Sequence, residues 1–286
     1  MLAIPAAAQD FDRDGLSDQL EQSLLERFAP TLLLAHDECA GAPASFTPFA
    51  REPLVSAEDG TLYGQAFRLA SRAGFGVEIE LHFFHLWSRD CGRLGHDLDA
   101  EHVSAIVSAP SADAPASAWV ASTWYAAAHE GSACDASSGA AAHVLDAEVS
   151  GPQVFVSRGK HASYFDRGHC KWGCGADECG SDRTLTPSAI INIGEIDAPL
   201  NGATWVHSNR WPMQGKLGSD FSPGLRSRFD DNRHNGVVPL RQMWRAPQAP
   251  VLARDTAVDS LVTATASTKS ALITAGRAVS RFLRRR

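Results

Sequence analysis

The sequence predicts a mainly β fold, a β-sandwich with a few peripheral helices. Residues 75 to 87 alternate apolar side chains such as Val77 and Ile79 with polar ones such as Glu78, which is the period of a half-buried strand. Short strand-like segments separated by Gly, Pro and Ser turns recur along the chain, as in sandwiches. The predicted strands cover residues 62 to 70, 75 to 87, 101 to 109, 117 to 128, 143 to 149, 153 to 157 and 188 to 194.

The first element is a short leader that we exclude from the fold. Residues 1 to 9 contain three consecutive alanines that resemble a signal-peptidase site, so we interpret them as a signal-peptide remnant. The alternative is a plain disordered N-terminus. Removal of a signal peptide predicts a secreted, extracellular protein, with the periplasm as the other possible compartment.

Residues 10 to 30 predict a calcium loop followed by a helix. Acidic residues occupy loop positions 1, 3, 5, 9 and 12 with glycine at position 6, which is the ligand order of an EF-hand loop. The segment also resembles the D-x-D-G-L-S-D-x-x-E calcium repeats of secreted bacterial proteins. An acidic helix cap is the alternative; the helix should end before Pro30. The predicted calcium ligands are Asp10, Asp12, Asp14, Leu16, Asp18 and Glu21.

The next two strands, 62 to 70 and 75 to 87, predict a hairpin that turns around residues 72 to 74. The strand that follows carries the richest cluster of possible metal ligands, in residues 95 to 101. Asp99 and Glu101 are two residues apart, so their side chains leave the same strand face. Two such carboxylates repel each other unless a cation, a proton or a basic partner compensates them.

A divalent cation is the simplest compensation for that pair. With His96 nearby, the carboxylates suit Mg, Mn or Ca better than a structural zinc. The alternative is a solvated polar strand face with an ordinary loop histidine.

The segment GHDLDAE, residues 95 to 101, resembles the GHRHDWE heptapeptide of the necrosis- and ethylene-inducing-peptide-like proteins. Upstream, HFFHLWSRD resembles the aromatic strand that ends in a metal-binding Asp in that family. Downstream, WYAAAHEG resembles its later strand, which ends in a His-containing turn. The resemblance implies an actinoporin-like sandwich in which Asp90, His96, Asp99 and Glu101 surround a divalent cation, with His129 close by.

Members of that family are secreted cytolysins that bind sphingolipid head groups and damage plant membranes in a metal-dependent way. The resemblance therefore implies a toxin and virulence factor whose cation binds anionic sugar-lipid head groups at a membrane surface. A related D-x-E-H pattern, present here as residues 99 to 102, occurs in the vacuolar-protein-sorting-62-like family of unknown biochemistry.

Two other functions stay open. The same cation would activate water in a hydrolase acting on a phosphoester or related bond, with His129 or His161 as the general base. Alternatively, the chain is a non-catalytic, calcium-stabilised extracellular binding domain. The sequence has no nucleophile elbow, P-loop or dinucleotide fingerprint that would favour another enzyme class.

Charge and cysteines complete the sequence prediction. The formal net charge is -7, and residues 256 to 286 carry six basic side chains and one acidic one, so the body is acidic and general nucleic-acid binding is not expected. Six cysteines fit export as three disulfides, and we expect one between Cys91 and Cys134, because both follow strand ends. The residues 170 to 179 predict a disulfide-stapled loop rather than a zinc site.

The later part of the chain completes the domain plan. The Ala- and Ser-rich stretches 109 to 118 and 131 to 142 predict loops. We assign residues 31 to 250 to the sandwich and residues 251 to 286 to a basic amphipathic helix, which would lie on an anionic membrane or dock on the sandwich. We expect a monomer.

Overall fold

The structure, a computed structural model, describes residues 9–70, 76–92, 95–130, 134–173, 177–195, 198–203 and 237–239. Within these ranges there is one α-helix, α1 (Asp18–Arg27), and short 3₁₀ helices at Ala116–Ala118, Ala142–Leu145 and Arg167–Trp172. The strands are β1 (Thr31–Leu34), β2 (Ser45–Phe46), β3 (Val55–Ala57), β4 (Leu62–Arg68), β5 (Val77–Arg89), β6 (Asp97–Ala109), β7 (Val120–Ala126), β8 (Ser138–Ala141), β9 (Gln153–Val156), β10 (Ser163–Tyr164), β11 (Arg183–Leu185), β12 (Ile190–Asn192), β13 (Gly194–Glu195), β14 (Ala198–Pro199) and β15 (Val238–Pro239).

Two main sheets pack face to face, which confirms the predicted mainly β sandwich. The larger has seven strands in the order β12-β4-β5-β6-β7-β8-β15, and the smaller has four in the order β10-β9-β1-β11. Leu34 of β1 and Val156 of β9 belong to the same buried core as Phe83 of β5 and Val103 of β6. The core therefore fills the space between the sheets.

The long antiparallel pair β5–β6 determines which side chains face that core. Phe83 lies opposite Val103, and Trp87 lies opposite Asp99, so these side chains share one face. Because Phe83, Trp87 and Val103 are core residues, Asp99 is on the inner face as well. The inner face is thus apolar over most of its length and polar at the end where β5 turns into β6.

Helix α1 forms and packs as the sequence predicts. Ser17 caps its N-terminus by accepting a hydrogen bond from the Leu20 amide, and the helix ends before Pro30. Leu25 is fully buried and lies so close to Gly64 of β4 that an added Cβ there would come within 2.7 Å of its methyl groups. Glycine at this position therefore lets the helix approach the sheet.

The predicted hairpin of β4 and β5 is confirmed, since Phe67 pairs with Glu80 in an antiparallel ladder; most of its turn lies outside the described residues. The strand predicted at 143 to 149 is wrong, because Ala142–Leu145 forms a 3₁₀ helix ended by the left-handed Asp146. The loop predicted at 131 to 142 is wrong at its end, where β8 places small residues opposite bulky ones, such as Ala140 against Trp124.

The predicted disulfide between Cys91 and Cys134 is wrong, because Cys91 bonds to Cys39, 52 residues earlier. The sequence argument placed Cys91 after a strand end correctly, but it did not predict that the loop after β1 carries its partner, Cys39. Cys170 and Cys179 are bonded to each other, which confirms the predicted stapled loop. No helix among the described residues has the length and apolar character needed to cross a membrane. Residues 1–8 of the predicted leader and the whole tail 251–286 lie outside the described residues.

Candidate functional site

The predicted metal residues Asp90 and His96 lie side by side at the end of the β5–β6 hairpin. The Asp90 amide donates to the His96 carbonyl at 2.8 Å, and Nε2 of His96 lies 3.9 Å from Oδ2 of Asp90. Nδ1 of His96 contacts the carbonyl of Leu98 at 2.8 Å, and Leu98 has a positive φ of 62°. The irregular backbone at Leu98 therefore fixes the imidazole at the rim of the sandwich, where its side chain is 54% exposed.

Asp99 and Glu101 both face inward from β6 and are 8% and 7% exposed. Their shared face confirms the period-two argument from the sequence. Oδ2 of Asp99 accepts a 2.8 Å hydrogen bond from Nδ1 of His161, and Oδ1 accepts one from the Ala100 amide at 2.9 Å. The partner of Asp99 is therefore a basic side chain of the protein itself.

His161 lies between two carboxylates. Its other ring nitrogen, Nε2, is 3.3 Å from Oε1 of Glu38, and its ring stacks on Trp87 with centroids 4.0 Å apart. Burial by itself lowers the pKa of His161, but the hydrogen bond to Asp99 and the nearby Glu38 carboxylate outweigh burial and raise it to about 9. At neutral pH His161 is consequently an imidazolium, which cannot accept a proton as a general base.

Glu38 is a site residue that sequence reasoning missed. It lies in the loop after β1, its Oε1 accepts hydrogen bonds from the Gly159 and Cys39 amides, and its side chain is fully buried. Burial raises its pKa, but the contacts with His161 and these amides outweigh that effect and hold it below the usual value. Oε2 is buried and accepts no hydrogen bond in the described part of the chain. The only signal in the sequence was the neighbouring Cys39.

A second buried carboxylate, Asp177, also escaped the sequence analysis. Three donors converge on it: His129 at 2.6 Å, Tyr164 at 2.6 Å and Lys160 at 2.8 Å. Although burial raises its pKa, these hydrogen bonds, from His129 foremost, lower it to about 2. The charge of Glu101 further raises the pKa values of His129 and Tyr164. Asp177, His129 and Lys160 therefore continue the polar end of the inner face.

The two predicted catalytic histidines differ in what they can do. His161 is enclosed between carboxylates, with a side chain that is 0% exposed. His129 keeps 21% of its side chain exposed and contacts the buried carboxylate of Asp177. Burial lowers the pKa of His129, but the hydrogen bond to Asp177 outweighs burial and raises it, so His129 differs from His161 in its exposure rather than in the direction of its pKa shift.

Ser163 is held by a different histidine, His85, whose Nε2 lies 2.7 Å from its hydroxyl oxygen. The indole N–H of Trp87 donates to Nδ1 of His85, so Nε2 carries the ring proton and donates to Ser163. His85 in this tautomer does not remove a proton from Ser163. The pair is an internal hydrogen-bond chain rather than a nucleophile with its base.

Possible metal-ligand atoms of the described residues lie close together in two places, at the rim and in the N-terminal loop. Among the described residues, Glu38, Cys39 and His161 bring ligand atoms within 4.8 Å of one another, although the Cys39 sulfur is already in a disulfide. The predicted set Asp90, His96, Asp99 and Glu101 does not form such a group by itself. Cation binding by that set stays a prediction.

The N-terminal loop, by contrast, brings its predicted ligands together. Ligand atoms lie within 4.8 Å of one another in two groups that share Asp12. Asp10 accepts hydrogen bonds from the amides of Arg13 and Gly15, both of which have positive φ, so the backbone wraps around this carboxylate. Leu16 is buried in the core at 2% exposure. The two groups are Asp10, Asp12 and Asp18, and Asp12, Asp14 and Glu21.

The raised pKa values and the unpaired carboxylate oxygens of this loop favour the binding of a cation. Burial and the neighbouring carboxylates raise the pKa of Asp12 to about 6 and that of Glu21 to about 9. Both carboxylate oxygens of Asp12 and Oδ2 of Asp14 are buried without a hydrogen-bond partner in the described part of the chain. Several carboxylate oxygens converging on one point are the donor set that Ca²⁺ prefers, so these residues fit that ion.

No protein-family model matches the sequence, and no curated protein matches it. Solved structures of necrosis- and ethylene-inducing proteins are similar to this chain. NLPPya in complex with glucosamine is 16% identical, with 77% of this chain and 93% of that chain covered and a TM-score of 0.41. Necrosis and Ethylene inducing Protein 2, from the causal agent of cocoa's Witches Broom disease, is 17% identical, with 76% and 97% covered and a TM-score of 0.38.

The non-toxic HaNLP3 protein is 11% identical, with 72% of this chain and 86% of that chain covered and a TM-score of 0.39. The confirmation of the sandwich rests on the two sheets of this chain.

Proposed function

We propose that this chain is an extracellular binding protein that holds a divalent cation at Asp90, His96, Asp99 and Glu101. Through that cation it binds anionic sugar head groups on a membrane surface, as the resemblance of residues 95 to 101 implies. The observation that carries the proposal is the burial of Asp99 and Glu101 on one strand face, beside further buried carboxylates.

The charges at this end of the sandwich support a bound cation. Four carboxylates face three basic groups, and the pair Asp90 and His96 lies at the hairpin end beside them. A divalent cation would remove the excess and lower the repulsion between the carboxylates. The groups counted are Glu38, Asp99, Glu101 and Asp177 on the acidic side and His129, Lys160 and His161 on the basic side.

Two basic side chains at the rim suit an anionic ligand. Lys160 and His129 keep 20% and 21% of their side chains exposed while they bind Asp177. Gly92 lies against the Lys160 side chain, since an added Cβ there would meet its Cγ at 2.7 Å, so Lys160 lies next to the turn that follows Asp90. A phosphate or carboxylate bound to the cation would find these positive charges beside it.

Binding to vesicles tests the proposal. Purified protein is mixed with phosphosphingolipid vesicles with and without chelator, and the bound fraction is measured by sedimentation. We expect binding that needs Mg, Mn or Ca and that is lost in Glu101→Gln. The matched control is Glu148→Gln, because Glu148 is exposed on a loop far along the chain. Binding that chelator and Glu101→Gln leave unchanged would refute the proposal.

In the N-terminal loop we propose a structural Ca²⁺ held by Asp10, Asp12, Asp14, Asp18 and Glu21, with the Leu16 carbonyl as a further ligand. Support comes from the two ligand groups that share Asp12 and from its buried, unpaired oxygens. Such an ion would fasten the segment before α1 to the sandwich, because Glu21 also accepts a 3.0 Å hydrogen bond from Asn192 of β12.

A second candidate function is hydrolysis of a phosphoester or related bond. The observation that favours it is the 2.6 Å contact between His129 and the buried Asp177, which orients the imidazole as in an acid–base pair. In this function His129 would accept the proton of a water molecule, and a cation held by Asp90, His96, Asp99 and Glu101 would lower the pKa of that water. Turnover of phosphoester, glycoside or ester substrates no greater than that of Glu101→Ala would reject it.

A further inference from the structure

A cavity of about 740 Å³ lies between the N-terminal segment and the edge strand β12, away from the rim residues. Its volume is in the range of small-ligand sites. Part of its wall comes from the segment around the carboxylate loop, and the opposite wall comes from β12 and the residues after β14. The wall includes Phe11, Asp18, Gln19, Ile190, Leu200 and Asn201.

Phe11 offers an aromatic surface to this cavity. Its side chain is 61% exposed, which is unusual for a large apolar residue that the backbone holds in place. The Phe11 amide donates a 2.9 Å hydrogen bond to Oδ1 of Asp18, and Asp18 belongs to the carboxylate loop with Asp10 and Asp12. The loop that gathers carboxylates therefore also positions the exposed ring.

Amide side chains supply the polar groups of the cavity. Asn201 donates from Nδ2 to the Asn192 carbonyl at 2.6 Å, which fixes the amide, and Oδ1 accepts no hydrogen bond within the described part of the chain. Gln19 projects from the exposed side of α1 and can both donate and accept. Amides of this kind match hydroxyl groups, which also donate and accept.

The charge of the cavity narrows the chemical class of its ligand. Among the described residues that line it are Asp18 but no lysine, arginine or histidine, so within this part of the chain an anion would meet no compensating charge. An aromatic ring, aliphatic side chains and amides together suit a ligand with apolar C–H faces and a rim of hydroxyls. Uncharged sugars have this combination.

We propose that this cavity is a second binding site, specific for an uncharged oligosaccharide that packs on Phe11 and hydrogen-bonds to Gln19 and Asn201. The site goes beyond the proposed head-group function, because it requires neither the rim cation nor an anionic ligand. It would let the protein bind a neutral glycan surface independently of the membrane contact made at the rim.

Isothermal titration of the full chain with cellohexaose, maltohexaose and N-acetylchitohexaose tests the proposal. We expect at least one of the three to bind. Phe11→Ala should weaken that binding about tenfold, whereas Phe11→Tyr, which keeps the ring, should stay within about threefold of the unmodified protein. Val149→Ala is the control, since Val149 is also an exposed apolar residue, at 59%, but does not line the cavity.

Glu101→Gln separates this proposal from the head-group function, because it should abolish vesicle binding and leave sugar binding unchanged. The proposal for the cavity would be overturned if none of the three sugars bound at millimolar concentration. It would also be overturned by a Phe11→Ala protein that binds as tightly as the Val149→Ala control.

Discussion

The N-terminal loop and the rim of the sandwich are both acidic, but basic side chains donate directly to the rim carboxylates, whereas Arg68 beside the loop donates to the Gly15 carbonyl and offsets the charge of Asp14 only in part. In the loop, carboxylates face one another, and the pKa values of Asp12 and Glu21 are raised. At the rim, Asp177 and Glu38 are just as buried, yet hydrogen bonds from basic side chains lower their pKa values. The direction of the shift thus distinguishes carboxylates that lie mainly beside one another from carboxylates that accept hydrogen bonds from basic side chains.

This difference changes how the heptapeptide of residues 95 to 101 is understood. Its Asp99 already has a partner in His161, so any cation there adds to an existing network. The N-terminal loop has a basic neighbour in Arg68, but burial outweighs the effect of Arg68 and the pKa of Asp14 stays raised, so a cation there would add positive charge that the loop lacks. Replacing Asp12 should therefore change how stability responds to added calcium, whereas replacing His161 should lower stability with or without it.

The largest expected effect is a loss of stability when the positively charged His161 is removed from the rim. His161→Ala leaves Asp99 and Glu38 buried without their shared partner, and breaking a buried ion pair in this way costs about 3–5 kcal/mol. Urea denaturation should show this loss of unfolding free energy with or without calcium. His143→Ala, at an exposed position, is the control. A cost below about 1 kcal/mol would mean that His161 does not compensate the rim carboxylates.

The second effect concerns the cation of the N-terminal loop. Calcium at 100 times its dissociation constant should raise the free energy of unfolding by about 2.7 kcal/mol, because it binds the folded loop alone. Thermal melting with and without calcium measures this gain. Asp12→Asn should abolish it, whereas Asp113→Asn, on an exposed loop, should retain it. A gain that survives in Asp12→Asn would place the stabilising ion elsewhere.

A smaller effect is the pH dependence of the metal-free protein. The folded-state pKa values of Asp12 and Glu21 lie above their ordinary values of 3.8 and 4.5, at about 6 and about 9. Their contribution to stability is therefore present at low pH and is lost as the pH rises through about 6 and then about 9. Denaturation between pH 5 and pH 9 should show stability falling more steeply in chelator than in calcium.

His161 also loses stability as the pH rises through about 9. Because calcium at the rim could change this part of the curve, the same comparison in Asp12→Asn separates the loop from the rim. Parallel curves would show that the loop carboxylates are not repelling one another in the metal-free protein.

Several features of the rim could be predicted from the sequence because they follow from local periodicity. The two-residue spacing of Asp99 and Glu101 placed them on one face, and the alternation of residues 75 to 87 predicted β5. The acidic spacing of residues 10 to 21 predicted which carboxylates converge in the loop. In each case the residues that matter are close in sequence, so strand or loop geometry alone relates them.

The partners of those residues could not be predicted in the same way. Glu38 and Asp177 come from loops far from β6 in sequence, and the disulfides Cys39–Cys91 and Cys170–Cys179 lie beside them. No periodicity relates such loops to a strand, so their contacts depend on the folded chain. Strand β8 was missed for a related reason, since its small residues have no strand pattern and pair with β7 only because Trp124 and Tyr125 leave little room.

The most direct test of two cation sites in unlike surroundings is anomalous scattering from crystals grown with Mn²⁺ and with Ca²⁺. The account predicts one peak among the carboxylates around Asp12 and a second beside Asp99 and Glu101, and the second alone should disappear in Glu101→Gln. Maps with no peak at the rim would contradict the proposed head-group site, because its ligand binds through that ion.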